Sequence, residues 1–321
     1  MGKLMKREDN FDVVLFGEMM VLLIANEYGP LPSVEVFRKK TAGAETNVAI
    51  ALSRLEHNVA WCSLLGNDSM GVYLRSVIEA EGVNCEQVKL VDGARTGFML
   101  KGRVLNGDPP IEYYRSGSAA SQMSVDDIDF DWLSRARHLH VTGIFPALST
   151  KTFELTVKAI EFMKMAGKTV SFDPNLRPSL WKSESEMKVK INYLASLAHW
   201  VLPGFDEGKF LTGASYCQDV ADFYHELGVD DVVIKLGPKG AYYSSTTAGK
   251  GEVVGKPVAN IVDTVGAGDG FAAGFISGRL DGLSFYDAVR RGTIIGASAV
   301  QVESDTDGYP KKEELLKMER E

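Results

Sequence analysis

The sequence predicts an α/β protein, a mostly parallel sheet with helices on both faces and a small second sheet beside it. Three observations point there. Apolar runs rich in Val, Ile and Leu alternate with helical stretches along the chain. Polar clusters follow these runs at Gly17, Gly143, Asp173 to Arg177, Glu207, Lys235 to Gly240 and Asp263 to Asp269. Two further strand pairs, within about 18–41 and 96–117, interrupt the alternation early and read as a small sheet standing off the core as a lid. In an open parallel sheet the C-terminal strand ends line one crevice, so the polar clusters are expected to meet there.

With 321 residues, one large core with a modest insertion fits better than two domains. Apolar residues make up 45% and charged residues 24%, an ordinary globular balance. No apolar run is long enough for a transmembrane helix. Met1 to Asn10 is charged, without an apolar signal core, and reads as a flexible lead-in. The three cysteines, Cys62, Cys85 and Cys217, are scattered, which argues for a reducing cytoplasm and against a disulfide framework or zinc site. A net charge of −8 with no Lys/Arg cluster argues against nucleic-acid binding. An anionic small molecule would have to be held by a few arginines and backbone donors.

Phe11 to Phe16 reads as a buried central strand. Met19 to Ala25 and Val34 to Thr41 read as strands around the Gly- and Pro-containing turn of Asn26 to Ser33. Ala42 to Ala49 leads into a helix running to about Leu55. Its start has two readings: simple capping by Thr46 and Asn47, or a helix N-terminus aimed at a polar ligand with Asn47 and the Gly43 backbone as donors. Val59 to Leu65 is strand-like, and Val72 to Glu81 is an amphipathic helix. Thr96 to Val104 and Ile111 to Ser116 read as a hairpin with a wide loop. His138 to Thr142 is a strand with both histidines on one face. Lacking a third ligand, they read as satisfied histidines at a strand edge rather than a metal pair. Thr150 to Met165 is helical and Thr169 to Phe172 is a strand. Gly167-Lys168-Thr169 mimics a phosphate-binding loop but precedes a strand, the wrong order. Trp200 to Leu202 and Asp231 to Leu236 are strands, Ala221 to Leu227 a helix, and Ala241 to Ser245 a hairpin partner. Asp287 to Ala299 is a helix rich in small residues.

The stretch Ile261 to Phe275 carries the chemistry. It reads as an apolar strand end, a turn with Gly266 and Gly268, and a helix packed with Ala and Gly. Backbone N–H groups of a Gly-rich turn at a helix start form an anion site. Asp269 inside such a site makes sense if it takes a proton from a nucleophile that attacks a phosphate.

These residues resemble the ribokinase-like, or PfkB, carbohydrate kinases. The resemblance rests on Ala42-Gly43-Ala44-Glu45-Thr46-Asn47-Val48-Ala49 and on Asp263-Thr264-Val265-Gly266-Ala267-Gly268-Asp269, which matches the D-T-x-G-A-G-D signature. It implies a ribokinase-like three-layer α/β/α core spanning residues 1–321, with the small β-sheet as lid. It implies ATP and Mg²⁺, in some members a monovalent cation. Asp269 would be the catalytic base, and Gly266, Ala267 and Gly268 the anion hole. Lys235, Gly237, Gly240 and Gly268 would lie near the nucleotide, and Glu207 would hold a metal through water. Gly43, Ala44, Asn47 and Ile144 would line the sugar site.

Within the family the sequence is similar to the group that phosphorylates 2-keto-3-deoxygluconate at its terminal hydroxyl. Tyr113-Tyr114-Arg115 resembles that group's lid strand, Arg177 sits at its second arginine, and Asp305 at its late acidic contact. The physical logic agrees, because an arginine fork suits the carboxylate of a sugar acid. A neutral sugar such as fructose or ribose, or a nucleoside, is the alternative substrate, and a non-catalytic sugar-binding regulator the alternative of another class. Gly204 stands where many members have an Asn. The edges of the lid sheet suggest a homodimer.

Overall fold

The computed structural model describes residues 10–105 and 109–320. Most of the expected lead-in, and the tip of the wide loop at 106–108, lie outside these residues. The chain opens with β1 (Phe11–Phe16), turns out into β2 (Met20–Ala25) and β3 (Phe37–Ala42), and returns through α1 (Ala44–Arg54) to β4 (Val59–Gly66). Next come α2 (Ser69–Ala80), β5 (Val88–Val91), β6 (Phe98–Lys101) and β7 (Ile111–Tyr114). The short α3 (Phe130–Ser134) leads to β8 (Ala136–Thr142), α4 (Thr150–Met165), β9 (Thr169–Asp173), α5 (Glu184–Leu197) and β10 (Trp200–Val201). The last third holds α6 (Phe205–Thr212), α7 (Cys217–Glu226), β11 (Asp231–Lys235), β12 (Gly240–Ser245), β13 (Gly249–Val254), α8 (Ala267–Leu280), α9 (Phe285–Ala299) and α10 (Lys312–Met318).

Nine strands form one sheet in the order β13-β12-β11-β10-β9-β8-β1-β4-β5. It is parallel except for the β11–β12–β13 meander at one edge. The period of two along a strand sends neighbouring side chains to opposite faces. On β1, Val13 and Leu15 enter the apolar cluster shared with α1, α8 and α9, while Val14 and Phe16 enter the one shared with α4, α5 and α7. Both faces are therefore buried, which is why β1 reads as a continuous apolar run.

The other four strands form the expected small sheet, in the order β3-β2-β6-β7. Its β2–β6 pair is parallel, with Leu22 opposite Met99, and its outer pairs are antiparallel. Met20, Leu22, Ile24, Ala42 and Met99 make a small apolar cluster of their own on it.

Three local expectations need correction. Ile261 and Val262 do not end a strand. They lie in irregular chain and are 63% and 51% exposed. The β12–β13 meander already closes this edge of the sheet, so the chain must cross back over the surface to start α8 beside α1. His138 and His140 are not at a strand edge either, because β8 lies mid-sheet between β1 and β9. Both rings are fully buried and bond to the hydroxyls of Thr169 and Ser171 at 2.7–2.8 Å, although Nε2 of His140 has no partner among the described residues. Burial pushes the imidazole of His140 down to about 3, so it is neutral. Third, β5, β13, α3, α5, α6 and α10 form in segments to which the sequence pattern assigns no regular element.

Candidate active site

The helix start at α8 anchors the site. Gly266 caps it with φ +81°, a left-handed conformation, and the Tyr309 hydroxyl donates to its carbonyl at 2.7 Å. A Cβ at Gly266 would collide with the backbone carbonyl of Asp305. Conformation and close approach both demand glycine here. Gly266→Ala is therefore expected to destabilise the fold by roughly 1–3 kcal/mol and to cut activity at least about tenfold, read by thermal unfolding and a kinase assay. In the first turn of α8 the N–H groups of Gly268 and Asp269 have no intrahelical acceptor.

Asp269 sits in that turn, 7% exposed. Its Oδ2 accepts from the Asn47 amide at 2.8 Å and its Oδ1 from the Asn175 amide at 3.3 Å. Burial pushes the carboxyl up to about 6; the Asn47 hydrogen bond, Lys235 and Arg177 oppose this, and Asp305 adds to it. The same Asn47 amide lies 3.4 Å from Oδ2 of Asp305, also buried and also raised to about 6. This corrects the capping reading of the α1 start. Gly43, without a side-chain cap, begins the helix, and Asn47 instead bridges two acids on other elements.

A second charged group faces Asp269 from the sheet. Lys235, at the end of β11, donates to Oδ2 of Asp173 at 2.6 Å. Burial opposes charge on Lys235, but Asp173, Glu207 and Asp269 outweigh it, so its ammonium is held above the ordinary lysine range. Glu207, in the first turn of α6, accepts from the backbone N–H of Leu176 and of Gly204, each at 2.7 Å. It ties the β9 end to the α6 start, where Gly204 brings no side chain.

The opposite side is built from β7, α1 and the β8 and β9 ends. Arg115 is not an unengaged cation, because it holds Oε2 of buried Glu18 at 2.5–2.6 Å while Ser118 donates to the other oxygen. Arg177 has no ion pair among the described residues and donates only to the Leu176 carbonyl, at 2.9 Å. The Ile144 N–H donates at 3.0 Å to the Thr142 hydroxyl, which in turn donates to buried Glu45. Burial raises Glu45 to about 7.

All this encloses a cavity of about 400 Å³. Of the residues singled out from the sequence, Gly43, Ala44, Asn47, Tyr113, Arg115, Ile144, Arg177, Glu207, Lys235, Gly266, Gly268, Asp269 and Asp305 line it. Ala267, Gly237 and Gly240 do not. Gly240 has a structural reason to be glycine, since its φ is +104° and a Cβ would collide with the Val253 carbonyl. Glu18, Met20 and Met99 line the cavity without having been singled out, and Asp173 and Asn175 line it as members of the Asp173 to Arg177 cluster that had no role assigned beyond Arg177. Asp173 and Asn175 carried a usable signal, because they share a strand end with Arg177.

A buried carboxyl raised to about 6, beside a helix start and a lysine, can take a proton from a hydroxyl that attacks a phosphate. Comparison with known proteins bears on the family. A family model described as pfkB family carbohydrate kinase matches residues 10–312. The chain is 48% identical to a 2-dehydro-3-deoxygluconokinase of Bacillus subtilis (strain 168), covering 95% of this chain and 94% of that one. It superposes on the crystal structure of a PfkB protein from Polaromonas sp. JS666 with a TM-score of 0.89 and 53% identity, over 95% of this chain and 99% of that one. It superposes on a putative ribokinase II from E. coli in complex with ATP and Mg²⁺ with a TM-score of 0.89 and 25% identity, over 97% and 99% of the two chains.

Proposed function

The chain belongs to the PfkB family of carbohydrate kinases and is an ATP-dependent phosphotransferase acting on a sugar hydroxyl, and on that premise we propose that its acceptor is the sugar acid 2-keto-3-deoxygluconate, phosphorylated at the terminal hydroxyl. One observation carries this choice. Two guanidinium groups, Arg115 beside β7 and Arg177 beyond β9, face the cavity onto which Asp269 opens. A carboxylate would satisfy the fork of Arg177, which a neutral sugar leaves without an anion. The name of the Bacillus subtilis relative points to the same substrate.

In this reading Tyr113 and Ile144 bracket the sugar, with Gly43, Ala44 and Asp305 along its flank. Asn47 holds Asp269 in place for the hydroxyl. Asp269 removes the hydroxyl proton as that oxygen bonds to the γ-phosphorus and the bond to the leaving ADP oxygen breaks. Backbone N–H groups at Gly266, Ala267 and Gly268 face the charge on the transferring group. Lys235 adds a positive charge on the nucleotide side, where Gly237 and Gly240 form the nearby turn. Magnesium supplies neutralisation of phosphate charge when bound. Glu207 and Asp173 suit contact through water rather than direct ligation, since their oxygens already accept from backbone N–H groups and from Lys235. A monovalent cation belongs to the reading as a further component, checked by titrating K⁺ into a Na⁺-free assay.

The small sheet, about 18–41 and 96–117, acts as a lid inserted in one kinase unit and excludes water from the transfer. Its outer strands β3 and β7 offer edges for a homodimer, checked by sedimentation. Among the described residues no helix is long and apolar enough to cross a membrane, and the reading places the enzyme in the cytoplasm with its ATP.

The Glu18–Arg115 ion pair favours a second reading, a neutral-sugar kinase, because it cancels one of the two positive charges. A kinase panel of sugar acids and their neutral counterparts decides. The expected result is at least about 100-fold higher kcat/KM on the acid than on fructose or ribose, of the size given by one charge-assisted contact. Equal turnover on a neutral sugar would sink the acid reading.

A further inference from the structure

Four cations of the small sheet reach the loops on the far wall of the cavity. Arg38 and Arg103 bind Glu303, Lys40 binds Asp307, and Lys101 binds Asp263. The first three pairs are largely solvated, and such pairs add little. The fourth is different. The Lys101 side chain is 7% exposed and that of Asp263 16%. A charge buried this deeply needs its partner.

Asp263 uses both oxygens. One accepts from Lys101, and the other accepts from the Val265 N–H at 3.1 Å, within the turn that delivers Gly266 to the start of α8. Lys101 also acts on Asp305. Burial pushes Asp305 up to about 6, and Lys101 is the strongest influence opposing that rise. Asp305 in turn shares the Asn47 amide with Asp269. One ammonium group on β6 therefore stands where the sugar-side sheet, the phosphate-facing turn and the acid pair meet. The proposed mechanism gives it no part.

We propose that Lys101 is a positioning residue for phosphoryl transfer: from the small sheet it holds the carboxylate that shapes the turn into α8, so the phosphate side is correctly built only when the sugar side is docked. The inference rests on the lid role proposed for that sheet. It does not need the acceptor to be a sugar acid.

The test measures ADP released per sugar phosphate formed, together with kcat and KM. The acceptor is whichever sugar of the panel the unaltered protein phosphorylates, so a wrong substrate shows in the unaltered protein and a wrong role for Lys101 only in the variants. Lys101→Met is expected to lower kcat about 10- to 100-fold while KM for the sugar stays within roughly threefold, the pattern of a misplaced reacting group. The ratio of ADP to sugar phosphate should rise from about one to about two or more, as water reaches the site. Lys101→Arg should restore most of that ratio. Asp263→Asn should reproduce the defect, and the double variant should be no worse than either single one, because the pair acts as a unit. Unchanged kcat and ratio in Lys101→Met overturns the proposal. So does a fall in kcat with the ratio still near one, the mark of a merely structural pair. If Lys101→Met does not fold, Asp263→Asn is judged by the same criteria.

Discussion

Asp269→Asn is expected to remove most turnover, about 10²- to 10⁴-fold in kcat, because the amide cannot accept the hydroxyl proton. The assay is coupled ADP release on the sugar acid. The pH profile gives the second check. Asp269 must be ionised to act, and burial raises it to about 6, so activity should fall as pH drops through about 6. The residual activity of the variant should lack that limb.

The same substitution should stabilise the fold. The folded carboxyl binds its proton more tightly than the unfolded one, whose ordinary value is 3.8. At pH 8 the folded state therefore carries a penalty for the ionised group. It shrinks as pH falls through about 6 and is gone below the unfolded value. Asn at 269 carries no charge at any pH. Thermal unfolding at pH 8 should show a gain of about 1–3 kcal/mol, the scale of a two-unit shift, and little gain near pH 4. A variant both inactive and less stable at pH 8 would mean that Asp269 serves the fold rather than the reaction.

Arg177→Ala should cut kcat/KM on the sugar acid about 10- to 150-fold, the range of one charge-assisted contact, and leave turnover on a neutral sugar within roughly threefold. Arg177 suits this test because it holds no anion among the described residues. Arg115 does not suit it alone. Removing Arg115 strands the Glu18 carboxylate, 3% exposed, without its cation, so stability and binding would fall together. The double change Glu18→Gln with Arg115→Ala separates the two. If Arg177→Ala costs as much on fructose as on the acid, the arginine serves general shape and the carboxylate assignment fails.

The sites that were legible in the sequence are those whose chemistry is local. Gly266, Gly268 and Asp269 lie within four positions, and a helix start needs no distant partner to present backbone donors. Lys235, Glu207 and Arg177 belong to the polar clusters at or beyond strand ends. Gly237 and Gly240, placed near a nucleotide by the resemblance, do not line this cavity. Glu18 lay next to Gly17 at a recognised strand end, and nothing in its neighbours distinguishes a buried partner of Arg115 from a solvated acid.

By itself the sequence determined the alternation of strands and helices, the two faces of the sheet, the separate small sheet and the Gly-rich turn with its acid. Each depends on periodicity or on backbone conformation within a few residues. Only the tertiary structure decided the pairings that make a site of them: Asn47 with Asp269, 222 residues apart, Arg115 with Glu18, 97 apart, and Lys101 with Asp263, 162 apart. Periodicity says which face a side chain takes. It does not say which strand or loop will stand opposite, and that neighbour decides whether a buried charge is paired, raised in pKa or left to meet a substrate.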